Sequence, residues 1–307
     1  MRHSMTRRDI VVGASAAALA FSSPAHAKAN FAVPDAACDC HFHIYDPRFP
    51  YAPDAQLKPP PSTVADYRRL VQQRLGTSRG IVVTPSTYAT DNRVTVDALS
   101  QLGAAARGVA VVHADVADSE LKALHAAGVR GARIQFGRGT IVTAEEVEPL
   151  AKRIAPMGWH MQLNMPGPDY LALGPVLRRL PCTIVFDHLA RVATLQQEHY
   201  RLVRDIMDTG RAWMKVSSPY TDSVVGPPGY ADTSTVARDY ITHYPDRVVW
   251  ASNWPYPDRD GKEDPLALLN ILQAWAPDAA LRHRILVENP EQLYGFDPKA
   301  RPKAVPS

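Results

Sequence analysis

The chain has 307 residues, of which 46% are hydrophobic and 21% charged, and its formal net charge is +3. This length is enough for one large core and too short for two full-sized domains joined by a linker, so we expect a single domain. The small net charge gives no electrostatic reason to expect nucleic acid or an anionic membrane as a partner.

Residues 1–27 read as an export signal that precedes the fold. Two arginines at positions 7 and 8 stand before a run without charge from residue 10 onward, and residues 25–27 read Ala-His-Ala. This combination is typical of a twin-arginine signal with a small-residue cleavage site. It predicts one domain over residues 28–307 and a periplasmic or secreted location. The apolar run is shorter than the ~20 residues that a spanning helix needs, and no later segment is suitable, so we expect no membrane span.

From residue 36 onward, short apolar runs alternate with longer amphipathic stretches. The runs predict strands at residues 36–44, 79–84, 108–113, 131–136, 159–164, 183–188, 212–217 and 247–252. The stretches predict helices at residues 64–75, 93–106, 119–127, 144–157, 170–179, 196–209 and 232–243. This order and size predict an α/β fold, a (β/α)8 TIM-like barrel. An open doubly wound sheet is the alternative, but no glycine-rich phosphate loop follows the first strand.

Two proline-containing loops follow the first and seventh predicted strands. Residues 46–62 include six prolines, and residues 227–229 of the second loop read Pro-Pro-Gly. Because proline fixes φ and lowers the entropy lost on ordering, we expect the first loop to form a semi-rigid lip over the barrel mouth.

The three cysteines do not suggest a disulfide framework. Cys38 and Cys40 lie two residues apart on one predicted strand, where a bridge would be strained, and the third is Cys182. Their spacing matches no zinc-ribbon motif. We therefore expect buried thiols.

The end of the first strand reads Asp-Cys-His-Phe-His. In a barrel of this kind the chemistry lies at the carboxyl ends of the strands. Because strand side chains alternate, we expect Asp39, His41 and His43 to share the interior face. Cys40 is expected on the other face. Two imidazoles at this position predict a functional site, whereas His160 begins its strand and is expected to be structural.

Other strand ends agree with this interpretation. His188 and Arg191 follow the sixth strand, and Asn253 follows the eighth. At these residues the chain resembles the amidohydrolase-related barrels, in the branch of 2-pyrone-4,6-dicarboxylate lactonase and D-galactarolactone isomerase. The resemblance runs through most of the mature chain and includes residues 86–92, 128–133, 158–160 and 287–290.

The resemblance implies an enzyme that opens or rearranges a small carboxylated lactone without a metal ion. Imidazoles can donate to a developing oxyanion, and a guanidinium can hold a carboxylate with two parallel hydrogen bonds. The expected catalytic residues are His41, His43, His188 and Asn253. The resemblance places Ser86, Arg133 and Asn164 at the substrate. Three further residues, Arg138, Arg191 and Tyr220, are expected to contact the substrate because they lie in loops that follow the strands. Loop packing is the alternative role for Tyr220.

Two positions depart from the family pattern. The family usually has an acid where this chain has Asn253, and an amide has no carboxylate to act as a general base. His188 is the expected substitute, since an unperturbed imidazole has a pKa near ~6.5. After strand seven, residues 217–221 offer hydroxyls where the lactonase has a carboxylate-binding arginine. The substrate is therefore expected to differ from the planar dicarboxylate.

Several functions stay open at this point. A lactone hydrolase is the first, and a lactone isomerase, which needs no external water, is the second. A metal-dependent amidohydrolase or decarboxylase is the third, although three imidazoles and an amide are a poor Zn²⁺ site beside one with a carboxylate. A non-catalytic periplasmic binder of an acidic ligand is the fourth. We expect no cofactor and no bound metal, and a small lactone or carboxylate as the ligand.

Overall fold

The computed structural model describes residues 28–137, 139–259 and 262–305. The predicted export signal at residues 1–27 and the predicted substrate contact Arg138 lie outside the described residues.

Eight parallel strands form one sheet in chain order. They are β1 (Cys38–Phe42), β2 (Arg79–Val83), β3 (Ala106–Ala110), β4 (Val129–Gln135), β5 (His160–Asn164), β6 (Ile184–Phe186), β7 (Ala212–Val216) and β8 (Val248–Trp250). Backbone hydrogen bonds bring the ends of β8 and β1 together, from Asn253 N to His41 O (2.8 Å) and from His43 N to Trp254 O (2.9 Å). The sheet is therefore rolled into a barrel, and the predicted (β/α)8 architecture is confirmed.

Helices alternate with the strands. They are α1 (Val64–Tyr67), α2 (Gln73–Leu75), α3 (Arg93–Leu102), α4 (Asp118–Ala126), α5 (Val147–Ile154), α6 (Gly167–Leu177), α7 (Glu198–Asp208), α8 (Ala231–His243), α9 (Pro265–Trp275), α10 (Ala279–His283) and α11 (Asn289–Tyr294). A π-helical segment, Arg68–Gln72, joins α1 to α2. Each of the predicted helices is present, and α9 to α11, which follow β8, were not predicted. In the described ranges no helix combines the length and apolar character needed to cross a bilayer.

Apolar side chains fill two layers, one between the sheet and the helices and one inside the barrel. Because both faces of a parallel sheet are covered, strand residues on both faces are buried. The interior layer includes Cys38, Cys40, Val83, Val185 and Val249. All three cysteines lie in the described part of the chain and are buried and unpaired, as predicted.

A bulge in β1 changes which residues face the interior. Asp39 pairs with Gly80 and Phe42 with Val82, so β1 has one more residue than β2 over this stretch. Cys40 packs in the interior layer. Asp39 accepts a hydrogen bond from the Tyr67 hydroxyl in the helical layer (3.3 Å). The expectation that Asp39 shares the face of the histidines, with Cys40 opposite, is therefore wrong.

The glycine that faces this bulge is required by close packing. Phe42 and Tyr67 stack with their ring centroids 3.6 Å apart. A Cβ atom at Gly80 would lie 2.7 Å from the Phe42 ring. The Phe42–Tyr67 stack thus leaves no room for a side chain at position 80 of β2. The same stack packs β1, the strand that carries the two histidines, against α1.

Candidate active site

A cavity of about 550 Å³ opens at the carboxyl ends of the strands. This volume is in the range of small-molecule sites. The polar side chains in its wall include His43, Tyr45, Ser86, Arg133, Asn164, His188, Arg191, Thr221, Asn253 and Arg259. Residues 54–57 of the proline-containing loop line part of it, so this loop lies at the barrel mouth as expected.

The two histidines of β1 form a hydrogen-bonded chain that leads away from the cavity. His43 Nδ1 lies 2.8 Å from the carbonyl oxygen of Val83, so Nδ1 carries the proton and Nε2 is an acceptor. His41 Nε2 lies 3.3 Å from that acceptor and donates to it. The remaining nitrogen, His41 Nδ1, then accepts from the Lys215 ammonium at 3.2 Å. Both rings are thereby held as neutral tautomers.

Beneath the cavity lies a buried charge cluster that sequence reasoning missed. Lys215 and Asp187 are both fully buried. Their Nζ and Oδ1 atoms are 3.3 Å apart. Gln162 links them, since it accepts from Lys215 Nζ (2.7 Å) and donates to Asp187 Oδ2 (2.9 Å). Arg133 Nε lies 3.6 Å from Asp187 Oδ2 and extends the cluster to the cavity wall.

This cluster sets the protonation states around it. Burial alone would raise the pKa of Asp187, but Lys215, His41 and His188 outweigh it and hold the pKa well below its usual value. Burial also lowers the pKa of Lys215, and Asp187 opposes that effect. An ionised pair results, and truncating either partner would leave the other charge buried and unpaired.

His188 lies in the cavity wall and contacts the end of β7. Its Nδ1 lies 3.0 Å from the Ser217 hydroxyl, which can donate or accept. Burial, helped by Arg133 and Lys215 and opposed by Asp187, lowers the pKa of His188 to about 3. The imidazole is therefore neutral at pH 7, a much weaker base in the free protein than the unperturbed histidine that we expected.

The chain leaves β6 through a left-handed turn. Residues 188–191 all have positive φ, between 52° and 59°. Hydrogen bonds between residues three apart, from Ala190 N to Asp187 O (2.9 Å) and from Val192 N to Leu189 O (3.1 Å), hold the turn. Each such residue costs about 1–2 kcal/mol when it bears a side chain. The turn brings His188 and Arg191 into the same cavity wall.

Asn253 is fixed in the cavity wall at the end of β8. Its Nδ2 donates to the Tyr220 hydroxyl at 2.8 Å. The preceding residue, Ser252, donates from its backbone N (2.8 Å) and its hydroxyl (2.6 Å) to Asp39. Asp39 and Tyr220 therefore position the amide. Tyr220 is buried next to Asn253 and is not among the residues that line the cavity, so it contacts the site through Asn253, and a direct contact with the substrate stays a prediction.

The wall contains three arginines among the described residues. Arg133 comes from β4 and Arg191 from the left-handed turn. Arg191 donates to both oxygens of Asp222, at 2.8 Å and 2.9 Å. Arg259, after β8, was missed in the sequence, because a lone arginine in a loop carries no positional signal. It lies over the Tyr220 ring, 5.5 Å from the centroid, and donates to the Tyr220 carbonyl.

A family model described as amidohydrolase matches residues 38–296. The chain belongs to the amidohydrolase family. It is 35% identical over 283 residues to 2-pyrone-4,6-dicarboxylate hydrolase of Comamonas testosteroni, with 87% of this chain and 92% of that protein covered. It is 32% identical over 278 residues to D-galactarolactone isomerase of Agrobacterium fabrum, with 88% and 94% covered.

The fold of this amidohydrolase is shared with solved structures. An apo crystal structure from Agrobacterium tumefaciens superposes with a TM-score of 0.82 at 31% identity. The superposition covers 88% of this chain and 99% of that one. The fold, and the family resemblance read from the sequence, are therefore confirmed.

The structure brings most of the predicted site residues of the amidohydrolase together. The cavity wall contains His43, Ser86, Arg133, Asn164, His188, Arg191 and Asn253. His41 is fully buried and is not among the residues that line the cavity, so its expected catalytic role stays a prediction. Of the hydroxyls predicted after strand seven, Thr221 reaches the cavity, whereas Ser217 contacts His188. One weak indication of the Asp187–Lys215 pair is present in the sequence. A charged residue in or next to an apolar barrel strand needs a partner of opposite charge, and both residues are at such positions.

Among the residues that the structure describes, His41, Asp187 and His188 form a group that could hold a metal, with ligand atoms within 4.8 Å of one another. The fit is poor for a physical reason. Lys215 Nζ lies among them and donates to His41 Nδ1, the imidazole nitrogen that faces Asp187 Oδ1 at 3.3 Å. The carboxylate that would bind it already faces the same ammonium.

Proposed function

We propose that this amidohydrolase opens a small lactone that carries a carboxylate, using its own side chains and no metal ion. The observation that carries the proposal is one cavity wall in which arginines face a neutral imidazole and a fixed amide. The similarity to a pyrone dicarboxylate hydrolase and a sugar-acid lactone isomerase supports a lactone as the substrate class.

The arginines of the wall would bind the substrate carboxylate. Arg133 is 4% exposed, so a carboxylate beside it is bound where water competes little. Arg259 is at the exposed side of the same cavity and can contact a second anionic or hydroxyl group. Arg191 is paired with Asp222, which fixes its guanidinium in the wall and compensates its charge. This arrangement favours an anionic ligand over a neutral one.

Asn253 would bind the lactone carbonyl. One hydrogen of its amide is donated to Tyr220, and the second can be donated to the carbonyl oxygen as negative charge develops there. The amide is held by Tyr220 and, through Ser252, by Asp39, so it does not need to reorganise during the reaction.

His188 would transfer the proton. Its ring is held at Nδ1 by Ser217, which leaves Nε2 for the cavity. The nucleophile gives a proton to Nε2 as it attacks the carbonyl carbon. The ester C–O bond then breaks, and the ring oxygen takes the proton from the imidazolium. Burial is the main cause of the low His188 pKa, and Arg133 lowers it further. A substrate carboxylate bound at Arg133 offsets that second effect and makes His188 a stronger base in the complex.

Hydrolysis and isomerisation differ only in the nucleophile, which is water in one and a substrate hydroxyl in the other. His188 can take the proton from either nucleophile, so Asn253 does not decide between them. The similarity to D-galactarolactone isomerase supports isomerisation of a sugar-acid lactone as the second candidate.

The test is a panel of pyrone and sugar-acid lactones assayed in a pH-stat, with products followed by ¹H NMR. Hydrolysis of each lactone releases one proton, whereas isomerisation changes the spectrum without proton release. His188→Gln should lose activity by at least ~100-fold, and the surface variant His243→Gln should retain it. If no lactone reacts and His188→Gln binds every ligand as tightly as the parent, the proposal is wrong.

We also propose that the chain is exported through the twin-arginine route. The arginines at positions 7 and 8 and the uncharged run after them support it. A reporter fused to residues 1–27 should reach the periplasm and should stay in the cytoplasm when both arginines are changed to lysine. Equal distribution of the two fusions would contradict the proposal.

A further inference from the structure

We infer that Lys215 is a built-in cation that occupies the place of a catalytic metal ion and excludes divalent metal from the group formed by His41, Asp187 and His188. The inference deepens the proposed metal-free function and rests on it. It assigns to a lysine near the carboxyl end of β7 a positioning role that the sequence did not indicate.

The first support is geometric. Three atoms, Lys215 Nζ, His41 Nδ1 and Asp187 Oδ1, lie 3.2 to 3.3 Å from one another. An ion bound to the nitrogen and the oxygen would lie about 2.0–2.2 Å from each of them. On the Lys215 side of that pair the ammonium already fills this volume.

The second support is the chemistry of the donors. A lysine ammonium has three donors and no lone pair, so it cannot itself be a ligand. It donates to His41 Nδ1, which therefore has no free lone pair for a metal, and His41 Nε2 donates to His43. Both nitrogens of the His41 ring are therefore already used in hydrogen bonds.

The third support is charge. Asp187 is fully buried and faces Lys215 at 3.3 Å, and Arg133 lies 3.6 Å from its second oxygen. The carboxylate is thus already compensated by two cations. A divalent ion would add positive charge next to both of them, where low polarity strengthens the repulsion.

The same geometry gives Lys215 its role in the reaction. Its charge holds His41 as an acceptor at Nδ1, which fixes the His41 Nε2 proton toward His43, and His43 lies in the cavity wall. Lys215 acts on the substrate only through these imidazoles.

The experiment measures metal binding by the full-length protein, with Zn²⁺ and Co²⁺ as probes. After dialysis against either ion, the parent protein should hold much less than one ion per chain. Lys215→Ala should hold one, with an affinity at least 100-fold tighter, and its Co²⁺ complex should show visible absorption. Lys215→Ala/His188→Gln should lose that ion, and Lys215→Arg, which keeps a cation, should stay metal-free.

Lys215→Ala leaves Asp187 without its partner and can fail to fold alone. In that case it is refolded with Zn²⁺ or with Mg²⁺, and only Zn²⁺ should restore the fold. The variant Lys215→Ala/Asp187→Asn removes both charges and should fold without gaining a metal. If a folded Lys215→Ala gains no ion, or if Zn²⁺ restores no fold, the inference is overturned.

Failure of this inference and failure of the proposed function are distinguishable. A parent protein that binds one Zn²⁺ through His188 and needs it to open lactones would overturn the inference and leave the substrate class intact. A Lys215→Ala variant that gains Zn²⁺, in a protein that opens no lactone, would support the inference and overturn only the proposed function.

Discussion

Acidification from pH 7 to pH 5 should destabilise this barrel through its buried histidines. The pKa of His188 is lowered to about 3 in the folded chain, first by burial, whereas an unfolded histidine has a pKa of about 6.5. Between these two values the unfolded chain binds one proton more than the folded chain at this residue. The free energy of unfolding therefore falls as the pH falls through this window.

The magnitude follows from these two values. At pH 5 the unfolded imidazole is almost fully protonated and the folded one is not, which costs about 2 kcal/mol per histidine. His43, whose pKa is also lowered to about 3 by burial, adds a comparable amount. Asp39 acts in the opposite direction, because burial raises its pKa to about 6 and favours the folded state as the pH falls from 6 to 4.

Urea denaturation of the parent and of His188→Gln at pH 7 and at pH 5 isolates the contribution of His188. The variant should lose about 2 kcal/mol less than the parent over this interval, since the Asp39 and His43 contributions are common to both. The surface variant His243→Gln is the matched control and should behave like the parent. Equal losses in the parent and in His188→Gln would refute the reasoning, because they would mean that His188 is not desolvated in the folded chain.

Three further predictions concern catalysis. The acid limb of kcat should lie at higher pH than that of kcat/KM, because a bound carboxylate raises the pKa of His188 from about 3; coincident limbs would contradict this. Tyr220→Phe removes the hydrogen bond that holds Asn253 and should lower kcat roughly 5-fold with little change in KM, since one neutral hydrogen bond contributes about 1 kcal/mol. Arg259→Met should raise KM for a carboxylated lactone roughly 10-fold, because Arg259 is exposed at the cavity wall, where it can pair with a carboxylate; an equal effect on the methyl ester of the same lactone would argue against a carboxylate contact.

The eight strands and the placement of the histidines could be predicted because they depend on local periodicity. Apolar runs of strand length separated by amphipathic stretches give the barrel, and a polar residue that ends such a run falls at the catalytic end. His43, His188 and Asn253 were found in this way, and all three lie in the cavity wall.

What could not be predicted depends on contacts between distant segments. The extra residue in β1 that turns Asp39 toward Tyr67 appears only when β1 is paired with β2. Lys215 and Asp187 lie 28 positions apart on neighbouring strands, and each alone looks like an ordinary charged residue. Tyr220 lies next to Asn253 because of loop packing after β7, for which a single sequence gives no rule.

The left-handed turn after β6 has a consequence for anyone who engineers this barrel. Leu189 and Ala190 hold a backbone conformation that glycine would adopt without steric penalty, so glycine at either position removes strain while it also removes buried apolar surface. The same exchange would give the segment many alternative shapes, and the imidazole and guanidinium three positions apart would no longer move as one rigid piece. In this turn, a substitution that relieves backbone strain also makes the positions of His188 and Arg191 less well defined. Thermostabilising substitutions should therefore be sought in other loops.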